Sequence, residues 1–309
     1  LDVQSSLVNY TSLKQYKAPR KNLPTPSVSQ INLLKKALSR AKRPIIIAGN
    51  GIRLGNAIKE FNDFLLKTNI PFVTSYLSVD LLPNNHKQYI GRLGIKGDRP
   101  GNFSLQNADL VISIGCHLSV ALTGFEYNLF ARDAKLFVVD IDRDEHKKNT
   151  VKINHFIHSD VKRFFVKFNG KYSFPEWLKI CRKWKDIWPV CLPEYKIEKK
   201  LINKYAFIDI MQKELKKDSV VVSDAGSSYY VTSQAFKPIK NQRYITSGAQ
   251  ADMGFTLPAA IGVAFAQKSK MVVGITGDGS FQMNIQELQT LVHYEIPVKL
   301  VVWNNNGYL

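Results

Sequence analysis

Two short polar segments near the end of the chain carry residue types that could hold a divalent cation and a phosphate. They are Gly277-Asp278-Gly279-Ser280 and Asn304-Asn305-Asn306-Gly307. A carboxylate, an amide oxygen and a loop carbonyl are hard oxygen ligands, which Mg²⁺ prefers and usually shares with phosphate oxygens. Backbone N–H groups of Gly279 and Ser280, at the entrance of a helix, would add donors for an anion. The two segments therefore predict a clamp for Mg²⁺ and a diphosphate.

The sequence around these segments predicts a strand, a helix and a second strand that would bring them together. Residues 271–276 are an apolar run typical of a buried parallel strand, and residues 298–303 form a second predicted strand. The helix between them would begin behind Asn284 as its N-cap. Its apolar face would carry Ile285, Leu288, Leu291 and Val292. In a right-handed unit of this kind both strand ends emerge at one edge of the sheet, so Asp278 and Asn305 can converge.

The GDG segment, followed after a spacer by paired asparagines, resembles the thiamine-diphosphate signature of the acetolactate synthase and pyruvate decarboxylase family. The resemblance implies that Asp278 and the side chain of Asn305 ligate Mg²⁺, with the carbonyl of Gly307 as the third protein ligand. A lone GDG is more often an ordinary aspartate-glycine turn. The asparagine pair at the spacing of the family favours the functional interpretation.

Two earlier segments resemble the same family. Residues 247–262, SGAQADMGFTLPAAIG, are similar to its SGGLGTMGFGLPAAIGA. That likeness implies that Met253 supports the bent cofactor, and that backbone groups of Ala251 and Met253 meet the aminopyrimidine. Residues 224–228, DAGSS, are predicted to form a strand-to-helix loop of small and hydroxyl residues that suits a diphosphate. They stand where the family has DVGQHQ. There Gly226 is kept, while Ser227 and Ser228 replace larger side chains and could still donate to phosphate.

The resemblance implies decarboxylation of a 2-keto acid with carboligation, dependent on thiamine diphosphate and Mg²⁺, as in an acetolactate synthase large subunit. A simple 2-keto acid decarboxylase and a sugar-modifying carboligase remain alternatives, because NNNGYL at 304–309 and the segment that corresponds to the family's FAD-binding motif depart from typical acetolactate synthases. A non-catalytic protein that binds nucleotides or nucleic acid is the alternative from another class. The family also implies a homodimer or homotetramer that acts on a small-molecule 2-keto acid.

Family members carry an activating glutamate on a first domain, supplied by a partner subunit. The opening residues Leu1-Asp2-Val3-Gln4 resemble the exit from that domain, and the family continues beyond the asparagine segment. No activating glutamate can be placed in this sequence; Glu287 follows GDGS but suits a structural or solvent-facing position better. We therefore expect residues 1–309 to be part of a longer three-domain enzyme and to be inactive alone.

Strands that alternate with helices predict an α/β fold class with two doubly wound parallel-sheet domains. The expected order is a connector over 1–26, a middle Rossmann-like domain over 27–168, a linker helix within 169–200 and an incomplete diphosphate-binding domain over 201–309. In the middle domain Ser29 could cap the first helix, a second helix should span about 57–67, and strands are expected at 44–48, 71–74, 110–115, 136–140 and 155–157.

The middle domain is where related enzymes often carry FAD. Gly49-Asn50-Gly51 follows a strand but lacks the third glycine of a dinucleotide fingerprint, so a plain tight turn explains it equally well. Where FAD-dependent relatives show GxRFDDRVTG, this chain has GCHLSVALTG at 115–124. Both arginine positions are lost, to His117 and Ala121, and with them two strong phosphate partners. We therefore expect no tight FAD binding.

Composition limits which other partners, cross-links and locations the sequence predicts. The net charge of +18 could attract nucleic acid, but the basic residues are scattered as pairs, which is typical of solvated helix faces. Tryptophans at helical spacing in 177–188 could stack on bases, yet they more often pack against a domain. Three cysteines without CxxC spacing indicate neither a disulfide framework nor a zinc site. With no secretory signal and no apolar run long enough for a bilayer, we expect a cytoplasmic protein without membrane contact.

Overall fold

The computed structural model describes residues 5–17, 22–197, 200–248, 250–267 and 270–307. The segment Leu1-Asp2-Val3-Gln4, on which the expected preceding domain was based, lies outside these ranges. The described residues form two parallel sheets, which confirms the predicted fold class. The first sheet contains β1 (Pro44–Ala48), β2 (Phe72–Thr74), β3 (Tyr89–Arg92), β4 (Leu110–Ile114), β5 (Lys135–Asp140) and β6 (His155–His158). The second contains β7 (Val220–Ser223), β8 (Arg243–Thr246), β9 (Val272–Gly277) and β10 (Val298–Trp303).

The described helices flank both sheets. They are α1 (Val28–Leu38), α2 (Gly51–Leu54), α3 (Ile58–Thr68), α4 (Arg99–Gln106), α5 (Val120–Thr123), α6 (Val161–Lys167), α7 (Pro175–Ile187), α8 (Lys204–Glu214), α9 (Gly226–Ala235), α10 (Thr256–Ala266), α11 (Asp278–Gln282) and α12 (Leu288–His293). Short 3₁₀ turns connect several of them.

The first sheet has the strand order β3-β2-β1-β4-β5-β6. Every residue of β1 and β4 is buried, because helices cover both faces of the sheet and leave no solvent-facing side. Two apolar clusters result, one on each face. Strand β3 was not anticipated, since its YIGR sequence interrupts the apolar pattern with Gly91 and Arg92.

The N-cap predicted for α1 is corrected by the structure. Ser27, not Ser29, occupies that position and accepts a hydrogen bond from the backbone of Gln30. The side chain of Gln30 in turn accepts from the Ser27 backbone N–H, which completes a capping box. A serine three residues before a glutamine was the sequence signal that distinguishes Ser27 from Ser29.

The second sheet has the order β10-β9-β7-β8, with every described pair parallel. The carboxyl ends of all four strands therefore lie at one edge, from which the loops that precede α9, α10 and α11 emerge. Strand β10 spans the predicted residues, and Gly277 pairs with Trp303 at the end of the ladder. Strand β8 was missed because its RYIT sequence is short and begins with a charged residue.

The helix predicted after GDGS is broken into three parts. α11 begins at Asp278 itself, a 3₁₀ turn covers Ile285–Glu287, and α12 follows. Asn284 precedes the 3₁₀ turn without capping it through its side chain, which instead donates to the carbonyl of Gly254. The expected apolar face is not buried, since Ile285 and Val292 are exposed by 48% and 73%.

α7 lies in the segment predicted to hold an amphipathic linker helix, and its aromatic residues pack against the first sheet and its helices. The indole of Trp177 is buried and donates to the carbonyl of Pro44 at 3.0 Å. Just past the helix, Trp188 stacks on Phe103 with ring centroids 4.8 Å apart. Trp177 and Trp188 are therefore explained by packing within the protein. Among the described residues, no helix is both long and apolar enough to cross a membrane.

One buried carboxylate joins the two sheets. Asp80 lies after β2, and its side chain is 1% exposed. It contacts Arg53 of α2 at 2.8 Å and Arg243 of β8 at 2.6 Å. It also accepts the outward-facing backbone N–H of Tyr244 at 3.0 Å. Strand β8 is the edge of its sheet, so Asp80 satisfies a backbone donor that would otherwise lack a strand partner.

Candidate functional site

A fully buried carboxylate, Asp224, lies at the carboxyl end of β7 and connects the loops at this edge of the second sheet. Five groups donate to its two oxygens: Ala225 N, Ser228 Oγ, Thr256 N, Thr276 Oγ1 and Ser280 Oγ. These donors come from three segments far apart in sequence. A buried carboxylate is tolerated when hydrogen bonds surround it, and here those bonds fix the relative positions of the three segments.

Ser280 extends this network into the loop that contains Met253. Its hydroxyl donates to Asp224 at 2.6 Å and accepts from the backbone N–H of Gly254 at 2.8 Å. The amide of Asn284 donates to the carbonyl of Gly254 at 2.8 Å, which holds the same loop from its other side. The loop before α10 and the GDGS segment therefore form one unit. Sequence reasoning proposed Ser280 as a cofactor-binding residue but did not anticipate the roles of Asp224 and Asn284.

Gly254 is required where these loops meet. Its φ is +82°, and an added Cβ would lie 2.7 Å from the Cβ of Met283 and 2.8 Å from the Asn284 amide nitrogen. Gly226 also has a positive φ, of +56°, but an added Cβ there would meet nothing within 4 Å. The two glycines share the left-handed backbone and differ in the space around them.

We predict that Gly254→Ala lowers the free energy of unfolding by about 2–4 kcal/mol, since left-handed strain adds to overpacking against backbone-linked atoms. Gly226→Ala should lower it by only about 1–2 kcal/mol, because backbone strain acts there alone. Denaturant unfolding of the two variants measures the difference. Equal losses would show that the contacts of Gly254 with Met283 and Asn284 are not tight.

The predicted metal ligands Asp278 and Gly307 lie together at the ends of β9 and β10. The Asp278 carboxylate accepts the backbone N–H of Gly307 at 3.2 Å and that of Gly279 at 3.0 Å. Asn305 is exposed in the same turn, and Asp278 is half-buried, so all three groups are open to solvent on one side. No cluster of three His, Cys, Asp or Glu side chains suited to a metal occurs in the described ranges. One carboxylate with amide and carbonyl oxygens is the ligand set that suits Mg²⁺ bound to a phosphate.

The predicted phosphate-binding residues Gly226, Ser227 and Ser228 form the first turn of α9 rather than a loop. Ser228 is buried, and its hydroxyl donates to Asp224 and to the carbonyl of Ala225. Its hydroxyl proton is therefore not free to bind a phosphate oxygen. Ser227 is half-buried and its oxygen accepts from Lys204 at 2.7 Å. Of the two serines, Ser227 is the one whose hydroxyl proton can reach an outside acceptor. Lys204 was not singled out in the sequence, since nothing in its local pattern distinguishes it.

Met253 and Ala251 lie on the loop between β8 and α10, at the same sheet edge. Met253 is 38% exposed, and Ala251 adopts a left-handed φ of +59°. Two tyrosines support this loop from the side of the first sheet. Tyr229 of α9 donates to the carbonyl of Gly248 at 3.0 Å and packs edge-on against Tyr76. Burial raises the pKa of Tyr229 far above its usual value, so its phenol keeps the proton that this bond requires.

A cavity of about 910 Å³ lies at the carboxyl edge of the first sheet, the edge at which doubly wound sheets in general bind ligands such as dinucleotides. Its ionisable lining includes Asp140, Glu145 and Asp160 together with His117 and His158, and the described lining contains neither arginine nor lysine. Burial raises the pKa of the lining thiol Cys116 to about 11 and keeps it neutral. An acidic lining of this kind is poorly suited to a dinucleotide's diphosphate.

Comparison with known proteins finds a match to a family model in each half of the chain. The family model described as thiamine pyrophosphate enzyme, central domain, matches residues 31–168. The model described as thiamine pyrophosphate enzyme, C-terminal TPP binding domain, matches residues 224–309. Thiamine pyrophosphate and thiamine diphosphate are the same compound. The second match begins at Asp224 and contains the predicted metal ligands, the Met253 loop and the first turn of α9.

Several curated relatives are acetolactate synthase large subunits. The chain is 34% identical over 285 residues to the one from Buchnera aphidicola subsp. Schizaphis graminum, covering 90% of this chain and 49% of that protein. It is 34% identical over 283 residues to the one from Lactococcus lactis, covering 90% and 48%. It is 31% identical over 301 residues to a probable one from Methanococcus aeolicus, covering 89% and 49%. The chain thus spans about half the length of these relatives.

Proposed function

We propose, for a chain that belongs to the thiamine pyrophosphate enzyme family, that its second sheet holds the diphosphate and Mg²⁺ ends of thiamine diphosphate in a 2-keto acid decarboxylase and carboligase similar to acetolactate synthase. When bound, thiamine diphosphate supplies the electron sink that allows a 2-keto acid to lose carbon dioxide. The residues of this chain bind and orient that group. The activating glutamate and the rest of the site belong to segments outside residues 1–309 in this proposal, and to a partner subunit.

The observation that supports this proposal most strongly is the hydrogen bond from the backbone N–H of Gly307 to Asp278, which joins the turn containing Asn305 to the GDGS segment that Ser280 ties to Asp224. Asp278, the amide oxygen of Asn305 and the carbonyl of Gly307 would hold Mg²⁺. The hydroxyl of Ser227 and the first backbone N–H groups of α9 would face the diphosphate. Backbone groups of Ala251 and Met253 would meet the aminopyrimidine, and the exposed Met253 side chain would support its bent shape. We propose no donor role for Ser228, since its proton is used by Asp224 and Ala225.

Carbon dioxide release from pyruvate by the full-length protein, with Mg²⁺ and thiamine diphosphate supplied, tests the reaction. Release with acetolactate as product is the expected result. Acetaldehyde would favour the simple decarboxylase, in keeping with the small residues and open space at the start of α9. Absence of release from pyruvate and from every other 2-keto acid, with the cofactor bound, would contradict a decarboxylating enzyme.

Asp278→Asn should weaken Mg²⁺-dependent binding of thiamine diphosphate on the order of 100-fold, which corresponds to about 2.7 kcal/mol. The substitution keeps the size of the side chain and removes the negative charge that a hard divalent cation requires. Calorimetric titration of the full-length protein measures the change. Glu287→Gln is the control, because this carboxylate of the same segment accepts from Thr290 and lies outside the proposed ligand set. Equal losses in both variants would refute the assignment.

We also propose that the cavity of the first sheet holds no tightly bound FAD. The described lining offers a dinucleotide's diphosphate neither arginine nor lysine, and His117 and Ala121 stand where the family's arginines would bind it. The absorbance spectrum of the purified full-length protein is the test. A stoichiometric flavin band would overturn this proposal without affecting the thiamine diphosphate site.

A further inference from the structure

Lys204, the first residue of α8, brings a cation to the edge where the cofactor site is proposed. Its Nζ donates to the hydroxyl of Ser227 at 2.7 Å. The same nitrogen lies 5.4 Å from the ring centroid of Trp303, the last residue of β10. Lys204 therefore lies between the first turn of α9 and the strand end that leads into the asparagine segment. These are the two places where the proposal puts phosphate donors and metal ligands.

Lys204 is half-buried, and its ammonium group lacks a carboxylate partner among the described residues. No ion pair within 4 Å involves Lys204 among the described residues, whereas nearby Lys196 and Lys237 both pair with Asp209. A half-buried cation loses hydration, and a hydroxyl with an aromatic face compensates for this only in part. An anion bound beside Ser227 would supply the missing counter-charge.

The hydrogen bonding of Ser227 directs its proton away from Lys204. Because its oxygen accepts from the ammonium group, its O–H is left for a second acceptor. The helix α9 is ten residues long, and Ala225 before it provides no side-chain cap, so the first turn presents backbone N–H groups. A cation, a hydroxyl and a helix start thus face the same space.

The charges of the proposed site also require a further cation. Mg²⁺ together with the Asp278 carboxylate carries one net positive charge. The diphosphate of an ester carries more than one negative charge near neutral pH. Part of that charge is therefore left for the protein to balance, and Lys204 is the cation that the structure places there.

We propose that Lys204 is a binding residue for the cofactor's diphosphate, acting directly and through Ser227, in place of the larger side chains that the family has at Ser227 and Ser228. This inference rests on the proposed function. It assigns recognition of the diphosphate to a charged residue on the preceding helix, where the family signature places uncharged or weakly basic donors on α9 itself.

Calorimetric titration of full-length protein with thiamine diphosphate in the presence of Mg²⁺ tests the inference. Lys204→Gln should raise the Kd about tenfold, as expected for one partly solvated charge near a phosphate. Lys204→Arg should stay within about threefold of wild type. Lys213→Gln is the matched control, since it removes an exposed lysine from the other end of the same helix. The Kd of Lys204→Gln should also depend less on NaCl concentration than that of wild type.

Four outcomes would overturn the inference, and they are distinguishable. An unchanged Kd in Lys204→Gln would show that the charge does not reach the diphosphate. An equal loss in Lys213→Gln would indicate a general effect of net charge. A lower unfolding temperature of the cofactor-free Lys204→Gln protein would indicate a structural role instead. Failure of wild type itself to bind thiamine diphosphate would remove the proposed function, and the inference with it.

Discussion

Asp224→Asn is expected to lower the free energy of unfolding by about 2–5 kcal/mol. Three donors reach one oxygen of Asp224 and two reach the other. Whichever oxygen becomes an amide nitrogen, one backbone N–H, of Ala225 or of Thr256, then faces another donor, and the hydroxyls on that side must turn their protons toward new acceptors inside the protein. Each donor left unsatisfied costs about 1–3 kcal/mol. Denaturant unfolding measures the loss through the midpoint concentration.

The loss should be specific to the network around Asp224. Asp218 lies just before the same strand β7, and Asp218→Asn should change stability by less than about 0.5 kcal/mol, as expected for a position outside such a network. Ser280→Ala removes one donor to Asp224 and the acceptor for Gly254, so it should lose about 1–3 kcal/mol. An Asp224→Asn protein as stable as wild type would show that the carboxylate does not organise these loops.

Asp80→Ala is the second substitution with a large expected effect, about 3 kcal/mol of unfolding free energy. Removing one partner of a buried ion pair typically costs about 3–5 kcal/mol because the other charge is left uncompensated. Here the side chains of Arg53 and Arg243 are 21% and 38% exposed, so water recovers part of their hydration and the lower end applies. The backbone N–H of Tyr244 also loses its acceptor.

Because Asp80 connects the two sheets, its loss should appear mainly as a separation of their unfolding transitions. Denaturant unfolding followed by tryptophan fluorescence measures this, since Trp177 packs with the first sheet and Trp303 ends β10 of the second. Asp63→Ala is the control, because that residue forms an exposed pair with Lys59 within one helix and should contribute about 0.5 kcal/mol or less. Losses of similar size in the two variants would mean that the contact between the sheets is not stabilised by Asp80.

The sequence predicted those elements whose own residues carry a strong signal. Strands β1 and β4 are almost wholly apolar, and such runs are buried on both faces in a parallel sheet. β3 and β8 were missed because Gly91, Arg92 and Arg243 interrupt the pattern, although contacts with neighbouring strands still hold those residues in the sheet. The helix after GDGS was predicted as one piece because periodicity does not show that the Asn284 side chain is used by Gly254.

The site was predictable to the extent that topology decides it. Strand ends meet at one edge of a parallel sheet, so proximity of Asp278 to the asparagine segment follows from the order of the elements. The roles of Asp224 and Lys204 do not follow from local sequence. Three of the five donors to Asp224 come from segments 32 or more residues away, and Lys204 meets Ser227 from the preceding helix. An aspartate directly after a strand, as at Asp278, was the available signal for Asp224.

Titration of the wild-type full-length protein with thiamine diphosphate, with Mg²⁺ and then with a chelator in its place, tests the central claim most directly. We predict saturable binding of one cofactor per chain that is lost when Mg²⁺ is removed, because in the proposed site Asp278, Asn305 and Gly307 would hold the diphosphate only through the metal. Binding that is unaffected by the chelator, or no saturable binding with Mg²⁺ present, would contradict the site.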